Sequence, residues 1–569
     1  MKTQMYLILL LITLSSIQSK TITTTDLASG ISQAVAGDTI ELKSGTYSSG
    51  PYSLRSGTSG KPITIKPAPN AQVVFTGTSS RCIIDSYSVS YVNIVGPMEL
   101  KNAYCGVKIM SANYVNVTGL TIHDTQQHGI VVSGHNNHIY KNEIYNCVME
   151  NKATAKTKTY GWSQCVAVWG TGGGAFSTNI KFEKNKIHEG YGEGLDFLEC
   201  DTCQAIGNEI TNGFSMNIYI DASKNIEVNG NILRVNTDTY NTQWGRACGV
   251  GMAPESGKTD IDNILITNNI MIGTRMGIYF FIMDNGGGYH NIKILHNTLW
   301  NVWTTPIWFK PPTTGASGCE MKNNFIYVDN TIGFDPKSAW SLGYNYYYNT
   351  NSVPGIYSDS TSKAAKSLDI GSIFNKVSGC NDYFNQNLDV KCLHPSKNPG
   401  VFKLYQSGIK PSTKVKYDFS ECERSTTNPS IGAFEFTSGC GGSEPEPDTD
   451  TPVTDAYDVK FKINYCTSGS QVIKIVGSLC NWSVGGCTSL THEGNCIWST
   501  TFSSGTAQSF VYKFVVANGN SAYRWENDPN RQFDGNSLVA AVSGTTSGKY
   551  ENCNFTKSGK LITLVCTWR

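Results

Sequence analysis

Charge is scarce in this sequence. Only 16% of the 569 residues are Asp, Glu, Lys or Arg, and 45 basic against 44 acidic side chains leave a formal net charge of +1. A chain so balanced has no electrostatic footprint for nucleic acid and no polybasic face for an anionic membrane. Long apolar runs are equally scarce. The one clear example opens the chain, where Lys2 precedes an apolar run to Leu14 and then small polar residues. It is too short and wrongly flanked for a membrane span, and reads as a signal peptide over residues 1–19. The expectation is a secreted monomer. Zinc-type ligand sets are missing as well. Cys200-Asp-Thr-Cys203 has suitable spacing, but no second pair and no partner histidines accompany it, so a structural disulfide is expected there.

What is present speaks of strands. The chain has 56 Gly and 29 Tyr with many Thr, Ser, Asn and Ile, a β-rich composition. Its 18 cysteines are an even number, which behind a signal peptide means disulfides of unreadable pairing. Asn116, Asn481 and Asn554 head glycosylation sequons.

One pattern returns between Asn179 and Lys310. Asn179, Asn225, Asn263 and Asn291 each lead an alternating apolar strand. A second series, Asn185, Asn208, Asn231, Asn269 and Asn297, advances in steps of 23, 23, 38 and 28 residues. Nearly constant steps with insertions indicate a solenoid whose extra residues lie in loops. With strand chemistry and no helical period, the expected fold is all-β, a parallel β-helix with an asparagine ladder at its corners.

A third strand follows each second corner. Six rows align, beginning at His128, Gln164, Glu193, Met216, Met276 and Thr305, and their third and fifth positions are apolar throughout. Those positions face the core, so the fourth and sixth face outward. The outward set includes Asp196, Tyr219, Tyr279 and Trp308 in one column and Trp169, Asp221, Phe281 and Lys310 in the other. Aromatics beside carboxylates suit a sugar-binding groove. Alternatively, the glycine-rich loops at 170–174 and 284–288 fold over these rings and make a second core.

The opening stretch, with Gly37-Asp-Thr-Ile-Glu-Leu-Lys-Ser-Gly-Thr-Tyr47 and Ser59-Gly-Lys-Pro-Ile-Thr-Ile-Lys66, resembles the start of secreted right-handed β-helix proteins of the pectate-lyase-like superfamily. The resemblance covers roughly residues 21–340 and implies polysaccharide lyases, glycoside hydrolases or proteins without activity. The solenoid is assigned to residues 20–340, its cap and closing strands to 341–438. A proline-rich acidic linker fills 439–456, and a small β-sandwich occupies 457–569.

That last segment carries Asn481-Trp482, Tyr512-Lys-Phe514 and Trp525-Glu-Asn-Asp-Pro-Asn-Arg531 on strand-like runs. It is similar over nearly its whole length to a starch-binding domain, a family 20 carbohydrate-binding module. The resemblance implies that Trp482 and Trp525 are sugar platforms with Lys513, Glu526 and Asn530 as polar partners, and that starch is a partner. Angled indoles suit the curved apolar face of an amylose helix. Trp498 and Trp568 are assigned to the core. The family's second site is expected to be absent, since Ser468–Gln471 and Glu493–Cys496 hold no tyrosine.

Three chemistries remain open for the solenoid. In a glycoside hydrolase, Asp196 and Asp221 are paired carboxylates with Cβ atoms roughly 8 Å apart, the separation of an inverting pair. Glu193, at the strand entrance near His128 and Gln164, is the alternative acid. In a lyase, as the resemblance implies, Asp196 and Asp221 bind calcium and Lys310 or Arg246 is the base. In a binding protein, Trp169, Tyr219, Tyr279 and Trp308 hold a second polysaccharide without reaction. No metal or other cofactor is required by the sequence itself.

Overall fold

The protein is described by a computed structural model covering residues 19–154, 161–240, 242–243, 245–255, 260–283, 286–328, 333–334, 336–350, 359–365, 373–374, 380, 382–395, 404, 407–413, 415–435, 458–477, 484, 488–503, 510–519, 521–525, 531–533, 553–558 and 561–567. The expected signal peptide, apart from Ser19, and the expected linker lie outside the described residues. The chain divides into two compact units, Met1–Pro445 and Glu446–Arg569.

The first unit is a parallel β-helix. Each coil contributes three short strands, as in Lys181–Glu183, Lys186–His188 and Glu193–Leu198. The next coil repeats them in parallel register at Gln204–Ile206, Glu209–Thr211 and Met216–Asp221. Alternation puts Phe182, Ile187, Leu195 and Phe197 inside, all buried. One helix, Leu27–Gln33, was not expected from the sequence. Asp26 caps it by accepting from the N–H groups of Ala28 and Ser29, and Leu27 and Ile31 are buried. Gly30 is required for this docking, because a Cβ there would lie 2.8 Å from Ile40.

The two asparagine series have different causes. Asn179, Asn225, Asn263 and Asn291 hold φ between 53° and 55°, the left-handed region that Asn tolerates better than most residues. Asn142, Asn185, Asn208, Asn231, Asn269, Asn297, Asn324 and Asn345 instead form a continuous buried ladder. Each Nδ2 donates to the next Oδ1 at 2.9–3.0 Å. Each Nδ2 also donates to a main-chain carbonyl, as Asn208 does to Phe182 at 3.1 Å. No amide in the ladder is left without a partner, which is how a polar column survives in the core.

One row escaped the sequence alignment. Cys248–Ala253 pairs with Met216–Asp221 on one side and Met276–Phe280 on the other. Its outward residue, Gly251, has no side chain, and a Cβ there would lie 2.3 Å from the Met216 sulfur.

The rows continue through Trp340–Gly343, Tyr346–Tyr348 and Lys363–Ala365. The described residues between Ile373 and Glu435 then lie along one flank of the stack. The Arg234 guanidinium donates to the carbonyls of Gln386 and Leu388, Trp300 to that of Tyr383, and Asn323 to that of Ile409. Arg424, fully buried, donates to Asn268 at 2.7 Å and to Gly432 and Ala433, and pairs with Glu435 at 3.3 Å. Trp300, Phe325, Tyr346, Phe374, Leu393 and Phe434 form a second apolar cluster beneath.

Disulfides join Cys82 to Cys105, Cys147 to Cys165, Cys380 to Cys392 and Cys466 to Cys496. The bridge expected between Cys200 and Cys203 is not formed; both are buried free thiols. Cys200 opens the short strand Cys200–Asp201 and Cys203 directly precedes Gln204–Ile206, and both side chains are fully buried in the coil.

The second unit has two sheets. One orders Thr491–Gly494, Ile497–Ser503, Asp458–Asn464, Leu561–Thr567 and Cys553–Ser558; the other is built on Val472–Gly477, Phe510–Asn518 and Ser521–Trp525. Trp498 is buried as expected, its indole N–H donating to the Tyr465 carbonyl at 3.1 Å.

Candidate functional site

The outward columns are real. Register aligns Ala167, Asp196, Tyr219, Gly251, Tyr279 and Trp308 on successive coils, and Leu198, Asp221 and Ala253 beside them. The open groove expected here is closed at its acidic end, a correction to the sequence reading. Asp196, Glu193, Tyr219 and Asp221 are only 1%, 4%, 4% and 6% exposed. The cause is local packing. Met216, Tyr219, Cys248 and Ala253 make a small second core with Met276, Tyr279 and Phe281. Because Gly251 leaves a gap, the Tyr219 and Phe281 rings stack across that coil at 5.9 Å, and Phe281 stacks on Tyr279 at 5.2 Å. Trp169, Tyr279 and Trp308 remain half-buried, and Lys310 is exposed.

Glu255, in the turn after Cys248–Ala253, was missed from sequence and ties the acidic end together. Its carboxylate accepts from the Tyr219 hydroxyl at 2.5 Å. Its backbone N–H donates to the carboxyl of Asp221. Among the described residues, Oδ1 of Asp221 has no hydrogen-bond partner. Burial, then the charges of Glu255 and Glu193, push Asp221 up from 3.8 to about 8. Burial and the charges of Asp221 and Glu255 also raise the Tyr219 phenol well above its ordinary value. Asp221 is thus a neutral acid at pH 7, set beside other carboxylates.

The strand entrances form a second row. His128 Nδ1 lies 2.7 Å from the Gln164 carbonyl, and the ring meets Trp169 edge-on at 5.2 Å. Burial depresses His128 to about 4, so it is neutral. The Gln164 amide donates to Glu193 at 3.4 Å and to the Trp162 carbonyl at 2.8 Å.

The two candidate basic residues stand apart from the acidic end. The Lys310 ammonium sits over the Tyr279 ring at 5.8 Å, three coils from Asp221. Arg246 is on the other edge, bonded to Asp238 and to the Gly273 carbonyl. Among the described residues no three acidic, His or Cys side chains converge to hold a metal ion.

Glu255→Gln is expected to keep the Tyr219 hydrogen bond while removing a charge beside Asp221. The pH at which Asp221 ceases to affect stability then moves below 8, without returning to 3.8 because burial remains. Thermal unfolding measured from pH 4 to 9 reads this directly; an unchanged profile would show that Glu255 does not act on Asp221.

In the C-terminal unit, Trp482, Glu526 and Asn530 lie outside the described residues. Lys513 pairs with Val476, and Trp525 with Val515, placing both positions in one sheet.

Comparison with known proteins agrees with both units. Residues 456–545 match the starch binding domain family, and 63–233 and 105–299 match the right handed beta helix region. A glucoamylase of Neurospora crassa is 34% identical over 126 residues, 20% of this chain and 20% of that protein. The chain therefore spans about a fifth of that relative. Among solved structures, pectate lyase Pel9A has 14% identity and a TM-score of 0.44, covering 74% of this chain and 98% of that one. An alginate lyase from Paenibacillus sp. str. FPU-7 has 17% identity and a TM-score of 0.30, covering 57% and 99%. The chain joins a right-handed parallel β-helix, matched over residues 63–299, to a C-terminal unit that matches the starch binding domain family over residues 456–545.

Proposed function

We propose that this is a secreted glycoside hydrolase that cleaves a neutral polysaccharide on the β-helix and is anchored to α-glucan by its C-terminal module. The observation that carries the catalytic half is the burial of Asp221, 6% exposed, beside Glu255 and Glu193, an environment that raises its carboxyl and favours the protonated form. A general acid must keep its proton until the leaving oxygen needs it, and burial beside like charges supplies that condition. Asp196, one coil away and two positions back along the strand, is the base that activates water, with Glu193 behind it. Their offset, roughly 8 Å between Cβ atoms, leaves room for a water and implies inversion. Asp196 and Asp221 are both buried, so a sugar reaches them only when neighbouring side chains such as Glu255 move aside.

A test is to incubate the purified chain with starch, glycogen, β-glucan, xylan, mannan, pectate and alginate, following reducing ends and unsaturated-uronate absorbance together. Reducing ends without that absorbance are expected on a neutral glycan. Absorbance on pectate or alginate would replace hydrolysis by elimination.

For the binding half, Trp525→Ala is expected to weaken retention on starch at least about tenfold, the order of effect of losing a central aromatic anchor. Retention equal to the parent's in a granular-starch pull-down would remove Trp525 from the site.

A further inference from the structure

Two residues before each strand entrance of the outward face stands one column that the sequence alignment did not single out. It reads Trp162, Tyr191, Phe214, Arg246, Thr274 and Trp303, preceding Gln164, Glu193, Met216, Cys248, Met276 and Thr305. Four of the six are aromatic and a fifth is a planar guanidinium. Five coil steps at about 4.8 Å make this edge ~24 Å long.

Its members divide into supports and platforms. Phe214 and Tyr191 are buried, whereas Trp162 is 51% and Trp303 47% exposed. Trp162 meets Phe214 edge-on at 6.1 Å. Trp303 is seated more firmly. The Arg246 guanidinium lies over its ring at 5.4 Å, and Gly245, at φ +82°, passes so close that a Cβ would stand 2.4 Å from the ring. One side of that indole is thereby fixed while almost half its surface stays open. The Tyr240 ring rests 5.0 Å from Tyr191.

We propose that this edge binds an uncharged polysaccharide chain lying along the coil axis, with the Trp162 and Trp303 rings, each turned inward along the edge, as its stacking platforms. Exposed aromatics held from behind lose little conformational freedom on binding, and their faces match the C–H faces of sugar rings. Arg246, the cation within this column, is already paired with Asp238 at 3.1 Å, and the neighbouring columns carry the acidic residues Glu193 and Asp196, which favours an uncharged chain over a polyuronate. The edge is also continuous with the reacting face, since the Gln164 amide bridges the Trp162 carbonyl and the Glu193 carboxylate. The inference deepens the hydrolase reading and rests on it for the role of the bound chain, but its test does not.

The test uses the full chain carrying Asp221→Asn, so that ligands stay intact, with saturating maltohexaose to occupy the C-terminal module. Calorimetric titration with cellohexaose, xylohexaose, mannohexaose and hexagalacturonate is compared with Trp162→Ala and Trp303→Ala. At least one neutral hexasaccharide is expected to bind, more than tenfold more weakly in each variant, with Trp303→Phe between. Equal binding by the variants, tighter binding of hexagalacturonate, or no binding of any neutral hexasaccharide overturns the proposal. Binding lost in the Trp variants while the parent cleaves nothing leaves the edge standing and the hydrolase reading fallen. Cleavage by the parent with binding unchanged in the variants does the reverse.

Discussion

Asp221→Asn is expected to leave the chain folded and to lower the release of reducing ends by a factor on the order of 10² to 10⁴, the range lost with a general acid. The substitution is nearly isosteric and removes a group whose charge is unwelcome where it sits. Its effect on stability separates it from a folding defect. Between its ordinary value of 3.8 and about 8, the folded chain holds a proton on Asp221 that the unfolded chain releases. The stabilisation from this group is therefore complete below 3.8, falls as pH rises, and is lost above about 8. The asparagine variant lacks that slope. At pH 8 it should be the more stable protein by several kcal/mol, at roughly 1.4 kcal/mol per pH unit. Reduced activity with raised stability would support the assignment. Retained activity would move the acid to Glu193.

Asn231→Ala is expected to cost about 3–6 kcal/mol, measured as the shift in denaturant midpoint. In the wild type the Asn231 Oδ1 accepts from the Asn208 N–H at 2.8 Å and its amide at 2.9 Å, and its own amide donates to Ala205 and Asn269 at 2.9 Å. Every one of these groups is beyond the reach of water, and each orphaned one costs about 1–3 kcal/mol. Asn263→Gly at the other corner, where the demand is a positive φ, should cost much less. Equal losses at the two corners would show that the ladder has no special standing.

The contrast also explains what was legible. The ladder repeats in sequence because every coil imposes the same demand, so Asn185 through Asn297 could be found by spacing alone. The outward columns were legible for the same reason, and Asp196 and Asp221 were placed correctly on adjacent coils. Their burial was not legible, because it depends on Gly251, in a row whose small residues follow the insertion at 236–246 and look like loop. Glu255 was missed because it lies in a turn outside any repeat. The flank segment was equally hidden, since Arg424 and Trp300 meet their partners at sequence separations of 156 and 83 residues. The helix Leu27–Gln33, with two turns and two buried apolar residues, has too little periodicity to stand out.

That flank segment changes how the stack can come apart. A bare solenoid couples each coil only to its neighbours, so melting can begin at an end and travel. Here one stretch of chain is bonded to coils at Arg234, Asn268, Trp300 and Asn323 at once. Those coils cannot open singly without releasing the same strap, so amide exchange there should report one cooperative unit, while the coils before Asn208, which the segment reaches through the exposed Lys184–Glu421 ion pair at 4.0 Å, should open more independently.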